Sequence, residues 1–144
     1  MTDIRSTLTL AAKTLKDASD SPELDAELLL AFCLKKPRSH LKAWPEKNLS
    51  DTVLTQFQSL LQQRKQGRPI AYLIGSKEFW SLEFTVNEKV LIPRPDTELL
   101  VELSLEFIRQ TQASRILDLG TGSGILAICL AKECPHLEVS ASDL

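Results

Sequence analysis

The run Ile116-Leu117-Asp118-Leu119-Gly120-Thr121-Gly122-Ser123-Gly124 constrains this chain more than any other stretch. Aliphatic residues flank an acid, and three glycines then alternate with small residues. Ile125, Leu126, Ile128, Cys129 and Leu130 follow at helical spacing, and Pro135 ends the run. The pattern predicts a strand, a tight turn and a helix, the unit from which a parallel α/β sheet builds a nucleotide-type pocket. Alternating glycines leave the turn without Cβ atoms, so its backbone can take positive φ and let a ligand approach closely.

The glycine spacing narrows the ligand. A dinucleotide fingerprint places glycines at the first, third and sixth positions. Here the first and third are Gly120 and Gly122, the sixth is Ile125, and the additional glycine is Gly124. Amides at the start of the following helix favour an anionic or acceptor group, and Asp118 at the strand end can hold an ammonium. A ligand with both a carboxylate and an ammonium fits better than one with a pyrophosphate, which points to S-adenosyl-L-methionine. Residues 137–141 alternate as a second short strand and lead to Asp143, 23 residues beyond Gly120 (143 − 120). An acid about 20 residues past the turn can accept hydrogen bonds from ribose hydroxyls. Candidate cofactor contacts are therefore Gly120, Thr121, Gly122, Ser123, Gly124 and Asp143, with Asp118 as a further candidate. The residues alone leave open another nucleotide site or a purely structural turn.

No apolar run is long enough to span a membrane, and the start of the chain lacks a secretory pattern. Cys33, Cys129 and Cys134 are odd in number and form no CxxC pair, so they read as small core hydrophobes rather than disulfides or zinc ligands. A cytoplasmic location is the default expectation. No metal constellation and no nucleophile–base pair stands out. Residues 1–76 hold 11 Lys and Arg against 8 Asp and Glu, and residues 77–144 hold 6 against 11, which sum to the net −2. The basic surplus of the first half is too small to argue for autonomous nucleic-acid binding.

The first seventy-odd residues predict five helices. Ile4, Leu8, Ala11, Ala12 and Leu15 share one face. Ser21 is expected to cap a second helix that has Pro22 in its first turn and ends at Pro37. A short third helix covers residues 39–44. Ser50 caps a fourth, with Val53, Leu54, Phe57, Leu60 and Leu61 inward, and Gly67 closes it. Pro69 opens a fifth, stopped by Gly75. From Lys77 the β-prone residues Phe79, Trp80, Leu82, Phe84, Val86, Val90, Leu91 and Ile92, interrupted at Asn87-Glu88-Lys89, predict a hairpin. Its aromatics are expected to bury a joint between domains. Asp96 or Thr97 then caps a helix expected to bury Leu99, Leu100, Leu103, Phe107 and Ile108. The Pro93-to-Glu98 loop, which leads into the cofactor fold, is a candidate to lie against the ligand.

In this order the segments resemble the release factor glutamine methyltransferases, the HemK family. The resemblance is carried by Asp25-Ala26-Glu27-Leu28-Leu29-Leu30, Arg68-Pro69-Ile70-Ala71-Tyr72-Leu73-Ile74-Gly75 and Glu78-Phe79-Trp80-Ser81-Leu82. Leu91-Ile92-Pro93-Arg94-Pro95-Asp96-Thr97-Glu98, the glycine run and Asp143 complete it. It implies an α + α/β chain: an N-terminal five-helix docking domain over 1–75, a β-hairpin linker over 76–94, and over 95–144 the beginning of a class I, Rossmann-like methyltransferase domain. It also implies methyl transfer from S-adenosyl-L-methionine to the side-chain amide of the glutamine in the Gly-Gly-Gln loop of peptide chain release factors. A monomer is expected, with no membrane or direct nucleic-acid partner.

The family's Asn-Pro-Pro-Tyr segment, which holds the substrate amide, has no counterpart here. The asparagines are Asn48 and Asn87, and neither precedes a proline. No catalytic residue is therefore assigned in this chain. It is expected to be inactive alone and to bind the cofactor weakly or not at all, with the helical part the more stable. The competing readings are an adenine-N6 DNA methyltransferase and a non-catalytic helical binding module. The modest charge argues against the first, and Ile125 argues against a nicotinamide dehydrogenase.

Overall fold

The computed structural model describes residues 2–143. They form two compact units, one ending at Ile74 and the other beginning at Gly75.

The first unit holds five helices: α1 (Ile4–Leu15), α2 (Pro22–Leu34), α3 (Arg38–Ala43), α4 (Asp51–Lys65) and α5 (Ile70–Ile74). Helices this short are marginal in water alone, and their apolar residues meet in one core. Ile4, Leu15, Leu29, Leu30 and Leu41 are fully buried there, with Phe57, Leu61 and Leu73 beside them. Asp3 caps α1 by accepting the Ser6 amide at 2.7 Å, and that bond is the main reason its carboxyl lies below the usual range. Ser50 caps α4 through the Val53 amide.

Two details differ from the sequence expectation. Ser21 occupies the N-cap position of α2 but makes no side-chain cap bond; its amide is taken by the Ser19 hydroxyl instead. The end of α2 falls at Leu34, before Pro37, because Lys35 turns left-handed at φ 52°. The Lys36 amide then bonds back to the Ala31 carbonyl, a Schellman closure.

The second unit opens with an antiparallel hairpin, β1 (Ser76–Phe79) and β2 (Leu82–Thr85), paired from Ser76–Thr85 to Phe79–Leu82. Its turn is Trp80-Ser81, both at positive φ (51° and 56°), and not Asn87-Glu88-Lys89. Residues 87–90 form a separate turn in which the Asn87 side chain accepts the Lys89 amide. Residues 90–92 lie outside any strand. Phe79 and Phe84 meet edge to face and bury in this unit's own core.

Helix α6 (Asp96–Thr111) follows, preceded by Pro95, with neither Asp96 nor Thr97 acting as a side-chain cap. Strand β3 (Arg115–Leu119), helix α7 (Ile125–Glu133) and strand β4 (Glu138–Ser142) make one parallel β-α-β unit. The buried face of α6 is Val101, Leu105 and Ile108, and they pack with Ile125, Cys129, Leu130, Cys134 and Leu137. Leu99, Leu100, Leu103 and Phe107, expected inside, are exposed, as are Leu117 and Leu119 on β3. The helix carries two apolar stripes, and α7 with the sheet covers only one of them. The architecture is thus a five-helix unit followed by a hairpin and the opening β-α-β of a Rossmann-like fold.

Candidate functional site

The site forms where β3 and β4 end. In the parallel register Asp118 lies opposite Ala141, and Leu119 lies opposite Ser142. Gly120 and Asp143 therefore leave the sheet side by side at the carboxyl ends of the strands, the position at which open α/β sheets take ligands.

The turn between them is left-handed at each glycine, with φ 74° at Gly120, 56° at Gly122 and 76° at Gly124. An L-residue with a side chain is strained in this region, so the alternation seen in the sequence is a backbone requirement. A Cβ built on Gly120 or Gly122 meets no atom within 4 Å. The turn keeps open space beside it, as a cradle for a ligand would.

Its amides are largely used within the chain. Gly120 and Thr121 both donate to the Ser142 carbonyl, at 2.8 and 3.1 Å. Gly122 donates to the Asp143 carboxylate, and Gly124 donates to the Thr121 carbonyl at 2.9 Å. The Thr121 hydroxyl donates to Asp118 at 2.7 Å. Three consecutive amides thus clasp the end of β4. Both sequence-predicted carboxylates join one network with the turn, Asp118 through Thr121 and Asp143 through Gly122. Such a network fixes the turn's shape before any ligand arrives.

The Pro93-to-Glu98 loop has a structural partner that the sequence did not reveal. The Glu98 carboxylate accepts the Trp80 amide at 3.4 Å, and the Trp80 indole donates to Glu133 at 3.0 Å. Two acids on α6 and α7 therefore hold the hairpin tip. Among the described residues no group of three or more metal-ligating side chains comes together, and no helix is long and apolar enough to cross a membrane. Cys33, Cys129 and Cys134 are free thiols, all buried.

Comparison with known proteins fits this architecture. Residues 6–75 match the PrmC N-terminal domain family, and residues 96–144 match the methyltransferase small domain family. The chain is 51% identical over 127 residues to a release factor glutamine methyltransferase of Aliivibrio fischeri, covering 88% of this chain and 44% of that protein. It is 46% identical over 142 residues to the Vibrio cholerae protein of the same name, covering 98% of this chain and 49% of that protein. The corresponding Escherichia coli K12 protein is 48% identical over 126 residues, 88% of this chain and 45% of that protein. The chain spans about half the length of the curated relatives it matches. Along most of its length the chain is thus similar to release factor glutamine methyltransferases, with its first part matching the PrmC N-terminal domain and its last part the methyltransferase small domain.

Proposed function

We propose that the protein to which this chain belongs is an S-adenosyl-L-methionine-dependent methyltransferase acting on the glutamine side-chain amide of the Gly-Gly-Gln loop of peptide chain release factors. The observation that carries the reading is the placement of Asp118 near the end of β3 and of Asp143 just past the end of the adjacent parallel strand β4, both joined by hydrogen bonds to the left-handed glycine turn. The names of the relatives supply the substrate class.

The residues fit the cofactor. Asp143 lies where an acid accepts hydrogen bonds from ribose hydroxyls. Asp118 offers negative charge to an ammonium, and within the turn of residues 120–124 the open space beside Gly120 and Gly122 would take the amino-acid end. When bound, S-adenosyl-L-methionine supplies an electrophilic methyl on sulfur. An amide nitrogen is a weak nucleophile because its lone pair is delocalised into the carbonyl. The enzyme must therefore hold the NH2 group with acceptors and aim the nitrogen at that methyl. Of the chain's two asparagines, neither Asn48 nor Asn87 precedes a proline, and the Asn87 side chain closes its own turn. The chain by itself orients the cofactor and does not transfer the methyl group. Residues 1–75 serve to dock the release factor, 76–94 link, and 95–144 open the catalytic domain.

Calorimetric titration tests the cofactor assignment. S-adenosyl-L-methionine should bind, weakly, and NAD should not. Asp143→Ala should weaken that binding by roughly tenfold, the scale of losing a charge-assisted hydrogen-bond acceptor. Preferential binding of NAD would overturn the assignment.

A further inference from the structure

Among the described residues β3 pairs with β4 alone, so its other edge carries backbone N–H and C=O groups with no strand to bond. A groove lined by Leu103, Ser104, Phe107, Arg115, Ile116 and Leu117 lies between α6 and β3, and no residue of β4 lines it. It therefore follows the unpaired edge. Its apolar side chains meet solvent, with Leu103 at 53%, Phe107 at 61% and Leu117 at 60% exposure.

Natural edges are usually blunted by charge, proline or a bulge, because a bare edge templates pairing with another chain. Residues 115–119 contain no proline, and their register with β4 runs without a bulge. Arg115, the one charged residue lining the groove, is paired with Glu138 at 3.2 Å. The Asp118 carboxylate accepts the Thr121 hydroxyl. Both charges of the strand thus have partners inside the chain, and neither guards the edge.

We infer that a second copy of this chain closes the edge, β3 against β3 across a two-fold axis. The face is complementary to itself, which is what an isologous interface requires. An antiparallel two-fold pair sets one residue opposite itself, and the middle residue of β3 is Leu117. Leu117 then meets the partner's Leu117, Arg115 meets the partner's Leu119, and Ile116 meets the partner's Asp118, so no like charges oppose one another. Two two-stranded sheets become one sheet of four strands, above the roughly three strands at which a sheet stands by itself. An axis normal to the sheet keeps both α6 helices on one side, where Leu103 and Phe107 of each copy lose their exposure to water. The two glycine turns fall at opposite ends of the joined sheet. The inference replaces the monomer expected from the resemblance and does not depend on the proposed function.

The test is sedimentation velocity on the 144-residue chain from about 1 to about 300 μM, the range in which a small interface associates. The weight-average mass should rise from 16.1 kDa toward twice that value. Emission of the hydrophobic dye ANS per chain should fall over the same range, as the apolar face is covered. Leu117→Lys and Leu117→Glu each put two like charges on the axis and should each weaken association about tenfold or more. Mixing these two variants should restore it to within about threefold of the parent, because opposite charges then meet. Leu103→Ser with Phe107→Ser should weaken it about tenfold. Leu10→Ser, at a position 67% exposed on α1, should stay within about twofold of the parent. Circular dichroism should show each variant folded like the parent.

The inference is overturned if the mass stays at 16.1 kDa throughout, or if Leu117→Lys associates like the parent. It is also overturned if the mixture associates no better than either variant alone, or if Leu10→Ser abolishes association. A chain that stays monomeric yet binds the separately produced C-terminal half of the Escherichia coli relative would assign the face to that half, and would overturn it too.

Discussion

The Asp143 carboxylate accepts a hydrogen bond from the Gly122 amide, so the acid just beyond β4 holds the middle glycine of the turn. The same carboxylate is the proposed partner of the ribose. Its first task is therefore performed without ligand, as a clasp that shapes the cradle. In Asp143→Ala the Gly122 amide should exchange roughly five- to tenfold faster in the ligand-free protein, the equivalent of about 1 kcal/mol of local hydrogen bonding. Asp143→Asn keeps an oxygen acceptor and should retain most of the protection. Amides of the β3–β4 ladder serve as the internal reference. Equal Gly122 exchange in the parent and in Asp143→Ala would contradict the clasp.

Asp25 and Arg64 join α2 to α4 by an ion pair at 2.7 Å, with Asp25 only 6% exposed. The Ser19 hydroxyl donates to the same carboxylate oxygen. Removing one partner of a buried pair leaves the other charge uncompensated, so Asp25→Ala should destabilise the helical unit by about 3 kcal/mol. Urea unfolding followed by helical circular dichroism measures the loss. A change below about 0.5 kcal/mol would mean that the pair is effectively solvated.

The buried thiols should be inert. Burial pushes Cys33 up to about 11, and burial, with the Glu133 carboxylate adding to it, raises Cys129. A thiol held protonated in the fold contributes stability that is fully present below the ordinary value of 9.0 and is lost as pH rises toward about 11. Stability should therefore fall across that alkaline interval, and less so in Cys33→Ala. At about pH 8, disulfide reagents should label Cys33 and Cys129 only as fast as the protein opens.

The exposed stripe of α6, together with Leu117 and Leu119 on β3, gives the second unit an uncovered apolar face. Parallel strands are ordinarily covered on both sides, and two strands alone make a weak sheet. The chain should bind a hydrophobic dye such as ANS in its native state, and Leu103→Ser with Phe107→Ser should reduce that signal severalfold. For the same reason native-state exchange should protect Leu28 and Leu60 better than Ile116. The reverse order would contradict the account of where stability resides.

Much of the fold was legible because its signals are local. Pro22, Pro69, Gly67 and Gly75 punctuate the helices, and the apolar period of 3.6 places α1, α4 and α7. The glycine turn and its two acids were legible for the same reason, as a short motif with a fixed spacing. What escaped the sequence depends on distant partners. The hairpin turn at Trp80-Ser81 carries no glycine or asparagine to mark it, and it is held by Glu98 and Glu133, 18 and 53 residues away. The buried face of α6 could not be chosen, since Leu99, Leu103 and Phe107 repeat with helical spacing just as Val101, Leu105 and Ile108 do. The Asp25–Arg64 pair was not legible because its two members lie 39 positions apart.

The central claim is that this chain carries a working cofactor half-site and a docking unit of a glutamine methyltransferase. The most direct measurement joins residues 1–143 to the remaining C-terminal half of the Escherichia coli relative and assays a release factor by mass spectrometry with S-adenosyl-L-methionine. The chimera should methylate the glutamine of the Gly-Gly-Gln loop, and the unextended chain should not. Asp143→Ala in the chimera should lower the rate at limiting cofactor by about tenfold or more. A folded chimera that binds S-adenosyl-L-methionine but leaves the release factor unmodified, or a chain that methylates it unaided, would contradict the account.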